Sequence, residues 1–131
     1  MTGAGFNATS PAMADAKICG ITSPEALDAA IHGGARFVGF VLFPKSPRHL
    51  MRDRLETLMA RARARVQTVI VTVDPDDGLL AEIGALGPDW IQLHGKESPQ
   101  RTAHARRYAR LGVIKALGVG RPEDLAAAAD F

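Results

Sequence analysis

Five short, largely apolar runs recur along this chain, at 16–19, 37–43, 68–73, 90–94 and 113–117, and stretches with helical spacing separate them. Runs that are apolar throughout, rather than alternating, fit strands covered on both faces, as in a parallel sheet. The intervening segments 24–32, 52–65, 77–86, 99–110 and 122–129 read as helices. Parallel neighbours need a crossover, and crossovers through a helix are right-handed, so the pattern is a β-α unit repeated five times in an α/β fold. Gly33-Gly34 after the first helix and Gly112 after the fourth read as left-handed caps, and Gly87-Pro88 marks the exit from the third. Two architectures accommodate five such units. One is a complete doubly wound sheet, which suits 131 residues. The other is the first part of an eight-stranded β/α barrel, which normally needs about 250 residues. Length favours the first, and periodicity alone leaves both open.

Composition narrows the class. Hydrophobic residues at 47% and charged residues at 23% are those of a globular domain, and no apolar stretch reaches the roughly 20 residues of a membrane span. A single cysteine excludes an internal disulfide and points to a reducing, cytoplasmic setting. Residues 1–15 are small and polar without an apolar signal core, so they read as a flexible extension to a domain over 16–131, and Met13 is as good a start as Met1. The glycosylation sequon Asn7-Ala8-Thr9 means nothing without secretion. Arginines cluster at Arg52, Arg54, Arg61, Arg63 and Arg65 and again at Arg101, Arg106, Arg107 and Arg110. Both clusters lie in alanine-rich helical stretches, and aromatic residues are scarce, so they read as solvated helix faces; no nucleic-acid or membrane partner is expected.

Chemistry concentrates at the ends of the strands. Lys17-Ile18-Cys19-Gly20-Ile21-Thr22 puts the lone thiol at a strand's carboxyl end, where α/β proteins keep their sites, though a free cysteine is more often a small buried hydrophobe. Thr22 or Ser23 can cap the helix that follows, with Pro24 in its first turn and Glu25 closing a T-x-x-E capping box. After the second strand, Phe43-Pro44-Lys45-Ser46-Pro47-Arg48-His49 stiffens a loop with two prolines and offers an anion the donors of Lys45, Ser46 and Arg48; a plain surface loop is the alternative. Strand alternation places Trp90, Gln92 and His94 on one face, with His94 at the carboxyl end, where a lone histidine is more often structural than catalytic. Lys115 sits among apolar neighbours, which calls for a nearby carboxylate.

In this order, Lys17-Ile18-Cys19-Gly20-Ile21-Thr22, Val38-Gly39-Phe40-Val41 leading into Phe43-Pro44-Lys45-Ser46-Pro47-Arg48, Gln92-Leu93-His94-Gly95 and Ile114-Lys115-Ala116 resemble the phosphoribosylanthranilate isomerases of tryptophan biosynthesis. The likeness runs from about Ala16 to Phe131, and its first two motifs are specific to that family. It implies a parallel (β/α)8 TIM-barrel type represented by about its first five β/α units. It also implies an aldose-ketose isomerase that converts N-(5-phosphoribosyl)anthranilate to 1-(2-carboxyphenylamino)-1-deoxyribulose 5-phosphate by an Amadori rearrangement, with no metal and no cofactor. By the same resemblance Cys19 is the base, acting as thiolate. A free thiol ionises near ~8.5, so a neighbouring cation or the adjacent helix start must favour the thiolate. Lys17 points to the same face one step lower. Arg48 resembles the arginine that holds the anthranilate part, and His94 lines the substrate pocket.

The resemblance also implies what is not in these residues. The family's general acid is an aspartate at the end of strand six, and glycine-rich loops after strands six to eight bind the phosphate. Asp124 and Asp130 match no such acid, and Gly118 and Gly120 form no nucleotide fingerprint. The chain is therefore expected to be truncated or split, to lack turnover on its own, and to need a complementary C-terminal half or to self-associate through its open strand edges. Two other readings compete. A receiver-like doubly wound module would use Asp74 and Lys115, although Cys19-Gly20 stands where it needs an acidic pair; a non-catalytic remnant would use none of these residues.

Overall fold

A computed structural model describes residues 14–131. The sequon at Asn7, the alternative start at Met13 and all but the end of the expected extension lie outside the described residues; Asp15, its last residue, pairs with Arg36 at 3.3 Å. The elements run β1 (Lys17–Cys19), α1 (Pro24–His32), β2 (Phe37–Val41), α2 (Arg52–Ala62), β3 (Gln67–Thr72), α3 (Asp77–Leu86), β4 (Trp90–Leu93), α4 (Pro99–Ala105) and β5 (Gly112–Lys115). Short polar side chains start three of the helices: Ser23 accepts from the Ala26 amide, Asp76 from Leu79 and Ser98 from Arg101. Because Ser23 is the cap, the expected T-x-x-E box does not form, and Glu25 serves as the acidic residue of the first turn.

All strands are parallel and lie in the order β1-β2-β3-β4-β5. That order decides between the two architectures. A doubly wound sheet reverses direction at a switch point and carries helices on both faces. Here every right-handed crossover advances the same way, so all helices pack on one face, as in a sector of a barrel. The receiver-like reading fails on this topology. On the helix side Val38, Phe40, Ile70, Ile91 and Leu93 of the sheet meet Leu27, Leu55, Leu58, Leu80 and Ile83 of the helices, all fully buried. Each contributes roughly 1.5–3 kcal/mol by leaving water. The other, inner face carries Lys17, Cys19, Phe37, Gly39, Gln67, Val69, Trp90, Gln92 and Ile114 by strand alternation. Trp90 there stands edge-on to Phe37 at 6.4 Å and donates its indole N–H to Gln67 at 2.7 Å.

Several boundaries differ from the sequence reading, each for a local reason. α4 gives way at Arg106–Tyr108 to a 3-10 turn, and the expected last helix is a 3-10 stretch, Pro122–Asp130, with no buried residue. An alanine-rich segment without a surface to pack on gains little from α-helical geometry. Gly33 is right-handed, with only Gly34 at positive φ (89°). Gly112 is no cap: it lies in β5 opposite Trp90, where a Cβ would come 2.9 Å from the indole ring.

The arginine clusters form seams between neighbouring helices. Arg61 and Arg65 grip Asp28 of α1, Arg52 reaches Glu56 and Glu82, and Arg101 holds Asp77. The hydrogen bond from Arg61, helped by Arg65, pulls the Asp28 carboxyl down to about 2. Among the described residues no helix is long and apolar enough to cross a membrane.

Candidate active site

The carboxyl ends of the strands gather the residues that the motifs single out. Cys19 ends β1 and is exposed, so it is not the small buried hydrophobe that a free cysteine usually is. Beside it Gly39 of β2 makes room for two side chains: a Cβ there would stand 3.0 Å from Cys19 Sγ and 3.4 Å from Lys17 Nζ. Cys19 Sγ and Lys17 Nζ therefore both lie against the Gly39 backbone on the inner face, the lysine one step below the thiol.

Arg48 comes to the end of β1 from the loop after β2. Gly20, at φ 80°, turns the chain out of β1, and its amide and that of Ile21 both donate to Gly39 O, at 3.0 and 3.1 Å. A Cβ on Gly20 would lie 2.5 Å from Arg48 Cδ and 2.7 Å from Nη1. The arginine side chain thus lies directly on the Gly20 backbone, one residue from the thiol, where only glycine fits both the turn and the contact. Of the loop's other expected anion donors, Ser46 Oγ accepts from the Arg48 amide at 3.1 Å, and Lys45 is exposed. The structure so brings Arg48 against Gly20, the residue that follows Cys19, and leaves His94 apart. His94 follows β4 on the inner face, exposed, its amide donating to Thr72 O at 3.0 Å. It stands three strands from Cys19, roughly 14 Å along the sheet at ~4.8 Å per strand.

Two residues to which sequence reasoning assigned no role organise the rim. Glu97, 1% exposed at its side chain, accepts from Lys115 Nζ at 2.6 Å, from the Asp74 amide at 2.7 Å and from the Gly95 amide at 3.0 Å. Lys115 also donates to Gly95 O at 2.8 Å, and Asp74 Oδ1 accepts from the Lys96 amide at 2.9 Å. This network ties together the segments that follow β3 and β4 and the end of β5. Burial is the largest single influence on Glu97 and favours its neutral form. The hydrogen bonds from Lys115 and the backbone amides together outweigh it, and its carboxyl ends below the usual glutamate range. The carboxylate that Lys115 called for is therefore Glu97, and Asp74 is a loop tie. The second residue, His49, accepts the Phe43 amide on Nδ1 at 2.9 Å. Asp124 caps its own turn, accepting from Gly120 and Arg121.

No inner-face strand position neighbouring Cys19 carries a carboxylate among the described residues, nor do three or more His, Cys, Asp or Glu side chains cluster as a metal site would need. A cleft of about 710 Å³ lined by Arg36, Arg63, Gln67, Asp89 and Arg110 lies at the strands' amino-terminal end, away from Cys19.

The sequence profile of N-(5'phosphoribosyl)anthranilate (PRA) isomerase matches residues 16–131. The chain is 47% identical over 116 residues to the N-(5'-phosphoribosyl)anthranilate isomerase of Rhodopseudomonas palustris strain TIE-1, a match covering 88% of this chain and 54% of the relative. With that of Brucella canis the identity is 46% over 118 residues, covering 89% and 53%. It superposes on the phosphoribosyl anthranilate isomerase of Thermotoga maritima with a TM-score of 0.81 at 32% identity, covering 88% of this chain and 56% of that one. A phosphoribosyl anthranilate isomerase in complex with reduced 1-(o-carboxyphenylamino)-1-deoxyribulose 5-phosphate matches with the same score and identity, covering 88% and 59%. The chain thus spans about half the length of the curated relatives it matches.

Proposed function

The chain belongs to the N-(5'-phosphoribosyl)anthranilate isomerase family, and we propose that its Cys19 and Arg48 serve as base and carboxylate clamp in the Amadori rearrangement of N-(5'-phosphoribosyl)anthranilate. The observation that carries this reading is Arg48 lying on Gly20, one residue from an exposed thiol that lies against Gly39. In the reaction an acid protonates the furanose oxygen and the ring opens to a Schiff base. The Cys19 thiolate takes the proton from C2 of that species, leaving an enolamine whose tautomerisation gives the ketone of 1-(2-carboxyphenylamino)-1-deoxyribulose 5-phosphate. Only protons move, so the chemistry calls for no metal and no cofactor. A planar guanidinium can bind the anthranilate carboxylate through two parallel hydrogen bonds, which places the sugar carbon over the thiol. His94, across the inner face, lines the far side of the same pocket.

By the family resemblance the acid and the phosphate site belong to β/α units outside these residues, so in our reading a C-terminal half, of the same chain or of another, completes the site, self-association being the alternative, in the cytoplasm. Ile18 supports this: it lies on the helix side beside fully buried Val38 and is still 43% exposed, as expected of an edge strand awaiting a neighbour. At the other edge Leu111, Val119, Leu125 and Phe131 are all exposed as well.

Titration with anthranilate tests the clamp. Amide resonances of Gly20, Ile21 and Arg48 are expected to shift, and Arg48→Ala to weaken binding at least about tenfold, as loss of a hydrogen bond to a charged group does. Binding that leaves those amides unmoved, or that survives Arg48→Ala unchanged, would remove Arg48 from the site.

A further inference from the structure

Resting on that reading of Arg48, we propose that His49 is a positioning residue: its imidazole Nδ1 holds the loop after β2 in the shape that lays Arg48 over Gly20 beside Cys19. The loop leaves the sheet at Val41 and returns to it at once, with Val41 bridged to His49 and the Leu50 amide donating to Val41 O at 3.0 Å. Between these points the chain makes two successive turns, closed by Ser46 N–H to Phe43 O at 2.9 Å and His49 N–H to Ser46 O at 3.1 Å. Arg48 sits in the second turn with its amide on Ser46 Oγ. The Phe43 amide, at the loop's root and half-buried, finds its acceptor in His49 Nδ1 at 2.9 Å. That one bond ties the loop's first residues to its last, across the segment that carries Arg48.

The bond sets a chemical requirement. Nδ1 accepts only in the neutral imidazole protonated at Nε2. Asparagine offers a carbonyl oxygen at the corresponding δ1 position, glutamine offers one a bond further out, and alanine offers none. A merely space-filling role would rank these variants by size. The positioning role ranks them by where an acceptor stands.

The test is nuclear magnetic resonance on the full chain without ligand. Wild type and His49→Asn are expected to show the contact between Arg48 δ protons and Gly20 α protons, with a slowly exchanging Phe43 amide. His49→Ala and His49→Gln are expected to lose both while the contacts between β2 and β3 remain. Should His49→Ala fail to fold, the Asn and Gln pair decides. An Arg48–Gly20 contact that persists in His49→Gln or His49→Ala, or that disappears in His49→Asn, overturns the proposal. Anthranilate then serves as the probe of consequence: affinity within about twofold of wild type for His49→Asn, and about tenfold weaker for His49→Ala, the scale of one hydrogen bond. If wild type shows the contact and binds no anthranilate, the substrate reading of Arg48 falls and the positioning role of His49 stands.

Discussion

Glu97→Ala is expected to destabilise the chain by about 3–5 kcal/mol, because it leaves a buried ammonium without its counter-charge. The seams between helices are different. Arg52 and Glu82, for example, are about half exposed and exchange one solvated state for another, so each such pair is worth about 0–1 kcal/mol. Glu97 and Lys115 are 1% and 8% exposed at their side chains, so neither charge has water to return to when its partner is removed. The loss also strands the Asp74 and Gly95 amides that Glu97 accepts, at about 1–3 kcal/mol for each one left buried and unpaired. Urea unfolding should therefore show Glu97→Ala as more damaging than any exposed-pair variant, and Lys115→Met as damaging in the converse sense, a carboxylate without its cation. The double variant Glu97→Leu with Lys115→Met should recover part of the loss, since no charge remains, but not all, since the two amides stay unpaired. A Glu97→Ala midpoint equal to wild type would mean that the rim is not held by this pair. The pH dependence has a definite sign. Glu97 ionises lower in the folded chain than in the unfolded one. Its contribution is then complete above the ordinary value of 4.5 and is lost as pH falls through the folded value. Wild type should lose stability more steeply than Glu97→Ala over that acid range.

The strands were legible because parallel strands are buried on both sides and advertise it: Phe37–Val41 is apolar throughout, and Gln67–Thr72 carries the unbroken apolar run Val69-Ile70-Val71. The direction of winding was not. A β-α unit has the same composition whether the next strand joins on the left or the right, so periodicity could not separate a doubly wound sheet from a barrel sector. The motifs at Lys17–Cys19 and at Phe43 to Arg48 carried that decision, because a resemblance in order encodes the whole topology. Cys19 and Arg48 stood out as candidates because a thiol at a strand end and an arginine in a proline-stiffened loop are unusual placements, while the roles proposed for them came from the family resemblance. Glu97 was hidden because its partners Lys115 and Asp74 lie 18 and 23 residues away, and nothing local marks a carboxylate as buried. His49 was hidden because its role is a single acceptor bond within its own loop. Gly112 misled for the opposite reason: a glycine after a helix looks like a cap, while here the indole of Trp90 excludes any side chain.

Cys19→Ser, assayed with the chain recombined with the C-terminal half of the Rhodopseudomonas palustris relative, is expected to lower turnover of N-(5'-phosphoribosyl)anthranilate by about 10²–10⁴-fold, the range for a general base. The substitution is close to isosteric, and Cys19 is exposed and outside the hydrophobic core. Thermal stability should accordingly stay within about 0.5 kcal/mol of wild type, the range of ordinary surface changes. That separation is what makes the variant informative: a serine hydroxyl fills the same space but does not ionise in the range where a thiol does, so only the proton transfer is lost. Arg48→Ala in the same mixture should act mainly on KM, since the proposed clamp would hold the anthranilate carboxylate in ground state and transition state alike. Full turnover with Cys19→Ser would reassign the base to another group on the inner face, Lys17 being the nearest candidate across Gly39. If the relative's own two halves recombine into an active enzyme and the hybrid stays inactive, this chain is not an isomerase half, and Cys19 and Arg48 are together for some other purpose. The wild-type hybrid turning over, and losing that turnover with one sulfur atom, would place the base on β1 of this chain.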